Sequence, residues 1–189
     1  QVYRQALVIE NTSYQNTKDS PTSLTTPNQV SNVLQSLGFQ VTTLGNAKQR
    51  ETEKAIRQFG RSLSDNGGVG VFYYTGHMVQ FENENYLLPI DIIPQTAADV
   101  RYDAVPVGKL LGQMEEADNN MNLVILDACR NNPFPQSFRS ANQGLAQVNA
   151  PTGSFISYAT APGQVAADGE GANGLFTSSL LKHMVVPNL

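Results

Sequence analysis

Apolar residues in this chain come in short blocks that switch between two periods. Residues 5–10 (QALVIE) are an aliphatic run of strand length. Residues 11–27 are polar, rich in Thr, Ser and Asn with two prolines, and predict a long exposed loop. Val30, Val33, Leu34 and Leu37 fall at i, i+3, i+4 and i+7, one face of a helix that Gly38 is placed to end. Residues 39–44 (FQVTTL) predict a second strand. Residues 48–63 predict a helix with Ile56, Phe59 and Leu63 on its inner face and charges on the other. A turn at Asp65, Asn66, Gly67 and Gly68 leads to a third strand, 69–74 (VGVFYY), which runs out in Thr75, Gly76 and His77. Residues 79–88 read as a hairpin around 82–85 (ENEN). Val107, Leu110, Leu111 and Met114 mark a third helix. A fourth strand covers NLVILDAC up to Cys129, and residues 131–151, with no period, predict a long loop. A fifth strand, 154–159 (SFISYA), and a last helix, 176–185, complete the pattern.

Strands alternating with helices predict an α/β fold around a mostly parallel sheet. At 189 residues the chain suits one domain with a full core, and 40% hydrophobic residues match a globular protein. No apolar stretch approaches the roughly 18 residues of a membrane span. The net charge of −4, without a basic block, argues against nucleic acid as a partner. The compartment stays open, and the chain starts just before its first strand, which leaves room for a targeting segment ahead of it.

The chemistry concentrates at two strand ends. Cys129, the only cysteine, cannot form an intramolecular disulfide, so it is either an inert buried thiol or one kept for chemistry. It follows the apolar run 123–126 and opens a polar loop, and His77 closes the third strand in the same way. If the two strands are parallel neighbours, both side chains emerge on one rim of the sheet. A thiol and an imidazole within reach make a dyad, in which the base takes the thiol proton and later delivers it to the leaving amine. Ligands of open α/β sheets bind outside the carboxyl ends of the strands, which is that same rim.

The segments YYTGH (73–77), ENYLLPID (84–91), LDACRNNPF (126–134) and SYATAPGQVAADG (157–169) resemble the caspase-like cysteine peptidases of bacteria. These are the orthocaspase and metacaspase relatives within the caspase–hemoglobinase clan. The resemblance runs from about Ala6 to His183, and it fits the caspase habit of placing the His about 50 residues upstream of the Cys. It implies a caspase-like three-layer α/β/α sandwich around a mostly parallel central sheet, forming one peptidase domain over 1–189. The long loop at about 131–151 would separate parts resembling a large and a small subunit, and relatives usually continue with a further strand beyond this C-terminus. It also implies Cys129 as nucleophile, His77 as general acid/base, and the backbone N–H groups of Met78 and Cys129 as the oxyanion hole. Thr75, Ser157, Tyr158 and Ala159 would line the substrate, within a strand and loop running over 155–168.

Specificity follows from charge. Caspases that cut after aspartate carry a glutamine two residues before the Cys and an arginine at the end of the motif resembling YATAPGQVAAD; those places hold Asp127 and Asp168 here. Two carboxylates at one pocket repel an acidic side chain and attract a basic one, Arg before Lys because a guanidinium engages both carboxylate oxygens. Asp127 capping a turn, and Asp168 belonging to an Asp-Gly turn, are the alternatives. Arg139 is a candidate self-cleavage site or else a solvated loop arginine. Arg130, Asn131 and Asn132 would shape the loop after the nucleophile. Lys182 and His183 offset the carbonyl end of the last helix, and Tyr73, Tyr74, Tyr86 and Tyr158 read as core. No metal site or cofactor motif is readable, although the resemblance to metacaspases brings Ca²⁺ activation with it.

The reading is thus a cysteine endopeptidase that acts on proteins or peptides after Arg or Lys. The alternative is a catalytically impaired pseudopeptidase serving as a protein-interaction module. It is motivated by three departures from the family pattern: Met78 where Gly usually follows the His, Glu10 where the first strand usually ends in Ile-Gly-Asn, and Thr26 where a pocket aspartate is common. A φ > 0 at Met78 would strain the oxyanion hole.

Overall fold

The computed structural model describes residues 2–15, 28–93, 96–128, 145–159 and 175–186. Along the chain the elements are β1 (Arg4–Glu10), α1 (Gln29–Ser36), β2 (Gln40–Gly45), α2 (Gln49–Asn66), β3 (Val69–Gly76), β4 (Met78–Phe81) and β5 (Glu84–Leu87). They continue with α3 (Ala97–Asp103), β6 (Val105–Pro106), α4 (Val107–Ala117), β7 (Met121–Ala128), β8 (Ser154–Tyr158) and α5 (Leu175–Met184). The main sheet has the strand order β2-β1-β3-β7-β8, with every pairing parallel. A small antiparallel sheet, β4-β5-β6, follows the end of β3.

The central strands are continuous apolar runs because helices cover both of their faces. Leu7, Ile9, Phe72, Tyr74, Val124 and Leu126 pack against α2 and α4, with Ile56, Phe59, Leu63, Leu110 and Met114 filling the layer between. Ala6, Val8, Val71, Tyr73 and Ile125 alternate with them and face α1 and α5. Successive strand residues point to opposite faces, so one period-2 pattern sorts the residues into two cores. The result is the three-layer α/β/α sandwich expected. A third cluster, with Tyr14, Val79, Tyr86, Leu88 and Val100, packs the small sheet and α3.

Three expectations need correction. The turn placed at 65–68 is shorter, because α2 runs on through Asn66 and the left-handed φ values belong to Gly67 and Gly68. A Cβ on Gly68 would lie 2.0 Å from the Tyr3 carbonyl oxygen, so the chain can reverse there only on glycine. The loop after β1 is not simply exposed: Asn11 and Tyr14 are buried, while residues 16–27 lie outside the described set. α3 and β6 went unpredicted. α3 is short and buries mainly Val100, but its start carries a signal, the Thr96 N–H donating to the Asp99 carboxylate at 2.6 Å.

Asn11 ties the end of β1 to three other elements. Its backbone N–H donates to the Thr75 carbonyl (2.9 Å), its Nδ2 to the Leu88 carbonyl (3.2 Å), and its Oδ1 accepts the Ala47 N–H (2.8 Å). Replacing Asn11 by Ala strands the buried Ala47 N–H and removes one of the donors to the Leu88 carbonyl, and urea titration is expected to show a loss of about 2 kcal/mol. A loss below about 1 kcal/mol would show that Asn11 does not clamp these strand ends.

Candidate active site

The carboxyl ends of β1, β3 and β7 form one level edge. The in-register pairings run Glu10↔Thr75 between β1 and β3, and Thr75↔Asp127 and Gly76↔Ala128 between β3 and β7. Strand order reverses between β1 and β3, since β2 lies to one side of β1 while β3, β7 and β8 follow on the other. In open α/β sheets such a reversal splays the flanking helices apart and leaves a crevice at the strand ends. The parallel adjacency expected of the two strands leading to His77 and Cys129 is present. His77 follows Gly76 in the chain and Cys129 follows Ala128, its register partner. Cys129 itself lies outside the described residues, as do Asp168, Arg139, Arg130, Asn131 and Asn132.

His77 is buried and its backbone is held from two sides by tyrosine hydroxyls. The Tyr14 hydroxyl accepts the His77 N–H at 2.8 Å, and the Tyr74 hydroxyl donates to the His77 carbonyl at 2.8 Å. The two hydroxyls lie 3.3 Å apart, and the Tyr14 ring sits 4.6 Å from the imidazole, tilted by 54°. Gly76 makes room for this arrangement. With φ 153°, a Cβ there would meet the Tyr74 hydroxyl at 2.6 Å and the Tyr14 hydroxyl at 2.8 Å.

Met78 opens β4 opposite Leu87. The Leu88 N–H donates to the His77 carbonyl at 3.0 Å, which makes Met78 and Leu87 a non-hydrogen-bonded pair and leaves the Met78 N–H out of the ladder. The non-glycine residues with positive φ are Asn28, Asn46, Glu82, Asn83 and Asp118. Met78 is not among them, so the strain a side chain would cause at φ > 0 does not arise.

Asp127 lies inside β7, which removes the turn-capping alternative. Its Oδ2 accepts a hydrogen bond from the Thr177 hydroxyl of α5 and lies 3.5 Å from the Tyr73 hydroxyl, which is itself 2.7 Å from Thr177 Oγ1. Each hydroxyl has one hydrogen, so the sequence is Tyr73 to Thr177 to Asp127. Burial pushes the Asp127 carboxyl above its ordinary range, opposed first by the hydrogen bond from Thr177 and then by the nearby Tyr73 hydroxyl. Burial likewise raises Glu10, opposed by the Asn28 N–H that reaches its Oε2 at 3.2 Å. Tyr73 is raised strongly, first by burial and then by the charge of Asp127, with Glu10 adding to it.

Thr75 is buried between Glu10 and Asp127. Ser157 pairs with Ile125 and so shares the α1/α5 face with Asp127. Ala159 follows β8 and donates its N–H to the Leu126 carbonyl at 3.0 Å. Tyr158 is on the opposite face and packs against the α2/α4 core, away from the Asp127 carboxylate. Tyr73, Tyr74 and Tyr86 are buried, as expected of core residues. Sequence reading passed over Tyr14, Thr177 and the positioning work of the tyrosine hydroxyls. A tyrosine in a polar loop four residues past a strand was the one available signal for Tyr14. Among the described residues no group of three or more His, Cys, Asp or Glu is placed to hold a metal ion, and no helix is long and apolar enough to cross a membrane.

Two predictions follow from this geometry. Tyr14→Phe keeps the ring beside the imidazole but leaves the His77 N–H without its acceptor; unfolding free energy should fall by about 1–3 kcal/mol and amide exchange at His77 should quicken. Unchanged exchange would count against the clamp. Because the folded Asp127 carboxyl binds its proton more tightly than the unfolded one, its contribution to stability is full below the ordinary value of 3.8 and falls as pH rises through the raised one. Melting temperatures across that window should therefore show Asp127→Asn gaining on the parent as pH rises, whereas a relative loss would reverse the assigned direction.

A family model for the caspase domain, of the C14 peptidases, matches residues 3–188. Over 125 residues, 66% of this chain, it is 27% identical to human mucosa-associated lymphoid tissue lymphoma translocation protein 1 and 28% identical to the mouse homolog. The matched stretch spans 15% of the human protein and 14% of the mouse one. Among solved structures, one described as pro-sf-caspase-1 superposes with a TM-score of 0.62 at 17% identity, covering 95% of this chain and 71% of that one, a likeness of fold. Together with the level strand ends beside His77, the match over nearly its whole length shows that the chain belongs to the caspase family.

Proposed function

We propose that this chain is a cysteine endopeptidase that uses Cys129 and His77 to cut peptide bonds after arginine, and secondarily lysine. The observation that carries the reading is the register of β3 with β7, whose last pair, Gly76 and Ala128, is followed in the chain by His77 and Cys129. Family membership supports peptidase chemistry in general. In this reading His77 takes the Cys129 thiol proton, the thiolate adds to the scissile carbonyl, and the Met78 N–H left out of the β4–β5 ladder steadies the oxyanion. Collapse of that intermediate passes the proton to the leaving amine and leaves an acyl-enzyme, which water hydrolyses. The half-buried carboxylate of Asp127 supports a basic residue before the scissile bond, since an acidic one would add like charge to a partly desolvated site. The unstrained backbone at Met78 removes one of the three reasons for the pseudopeptidase reading.

The test uses fluorogenic peptides ending in Arg, Lys or Asp, with and without Ca²⁺, beside Cys129→Ala. Turnover of the Arg peptide, faster than that of the Lys peptide and reduced roughly a thousandfold or more in the variant, is expected. Turnover of the Asp peptide alone would overturn the specificity. No turnover in any condition, with an intact fold, would favour the pseudopeptidase.

A further inference from the structure

Glu10 is the residue that the reading so far leaves without a role. It is 7% exposed at the end of β1, on the α1/α5 face with Thr75 and Asp127, where strand order reverses. Its Oε2 accepts the Asn28 N–H at the start of α1, but its Oε1 is buried and has no hydrogen-bond partner among the described residues. Among the described residues the side-chain contacts to Asp127 fall on Oδ2 and none on Oδ1. The ion pairs among the described residues involve Glu53 and Glu82, so neither Glu10 nor Asp127 is matched there by a cation. Two carboxylates at this strand edge, each with a spare oxygen and no countercharge among the described residues, are costly unless a cation arrives to pair with them.

The spacing suits one guanidinium. Adjacent strands lie about 4.8 Å apart, so Glu10 and Asp127, on either side of β3, are separated by roughly 10 Å at Cα. Both side chains leave the sheet on the face they share with Thr75, and a planar group with N–H donors on both edges is the cation suited to bridging two carboxylates at that separation. An ammonium, a point donor on a flexible stem, reaches one carboxylate well and the other poorly.

We propose that Glu10 is a specificity-determining residue whose free carboxylate oxygen, with Asp127 across β3, receives the guanidinium of the arginine preceding the scissile bond. This rests on the basic-residue cleavage proposed above. A purely structural Glu10, anchoring the start of α1 through Asn28, would lack any preference between arginine and its uncharged isostere.

The experiment compares peptides ending in arginine and in citrulline. Turnover is measured for the parent, Glu10→Gln and Glu10→Ala, and binding is measured by fluorescence polarisation for the same three in a Cys129→Ala background. Gln keeps an acceptor for Asn28 and Ala does not, so a folding defect confined to one variant leaves the other informative. The arginine-to-citrulline ratio is expected to fall at least about tenfold in both variants. A ratio held at the parent value in either folded variant overturns the proposal. Failure of the underlying reading looks different. If no peptide is turned over but arginine binding depends on Glu10, the peptidase reading falls and the specificity assignment stands. If the parent does not prefer arginine over citrulline in binding, both fall.

Discussion

Parallel pairing of β3 with β7 in a single register is the constraint on which the rest of the site depends. Because both strands are packed on both faces, a slip of β7 by one residue would turn Ile125 toward α2 and α4 and send Asp127 with it. The two cores differ in shape and partners, so that slip is opposed all along the strands and not only at their ends. Registry enforced by many apolar contacts thus sets the height at which two polar residues, His77 and Asp127, leave or end the sheet. β1 is held to β3 in the same way, which brings Glu10 level with Thr75.

Two consecutive tyrosines translate that registry into polar geometry. Tyr74 faces the α2/α4 core and Tyr73 the α1/α5 core, yet both hydroxyls reach the strand end. The Tyr74 hydroxyl holds the His77 carbonyl, while the Tyr73 hydroxyl, through Thr177, leads to the Asp127 carboxylate. Each aromatic body contributes to packing and each tip to positioning, which suits a residue with a large apolar ring and one polar atom. The site is therefore coupled to the fold's interior without a long loop between them. Its carboxylates are raised by burial, so they reduce stability at neutral pH relative to uncharged residues. That is the pattern of a polar site retained for binding and not for stability.

Much of this was legible in the sequence, for definite reasons. The strands and main helices follow from apolar period, and the adjacency of the strands before His77 and Cys129 follows from alternating β and α elements. What was not legible depended on contacts between residues far apart in the chain. Tyr14 sits in a stretch whose composition predicts exposure, and only the folded chain brings its hydroxyl to the His77 N–H. Met78 looked unfavourable when judged by the glycine usual at that place, because a residue type alone does not reveal φ. The 97–103 helix is too short for its period to be seen, and only its capping residues announce it.

Glu10 and Thr26 are both departures from the family pattern, and of the two only Glu10 lies among the described residues. The resemblance places a pocket aspartate at Thr26, two residues ahead of Asn28 in the chain. The Asn28 N–H itself donates to the carboxylate of Glu10. A charge carried on a strand paired on both sides is fixed in position by the sheet, whereas one carried on a loop must be ordered by its own contacts. Burial at the end of β1 supplies the desolvation that raises the Glu10 carboxyl. A guanidinium would reverse that desolvation most fully because it brings charge and donors together, so the same burial that disfavours the empty carboxylate would sharpen the preference for arginine proposed for it.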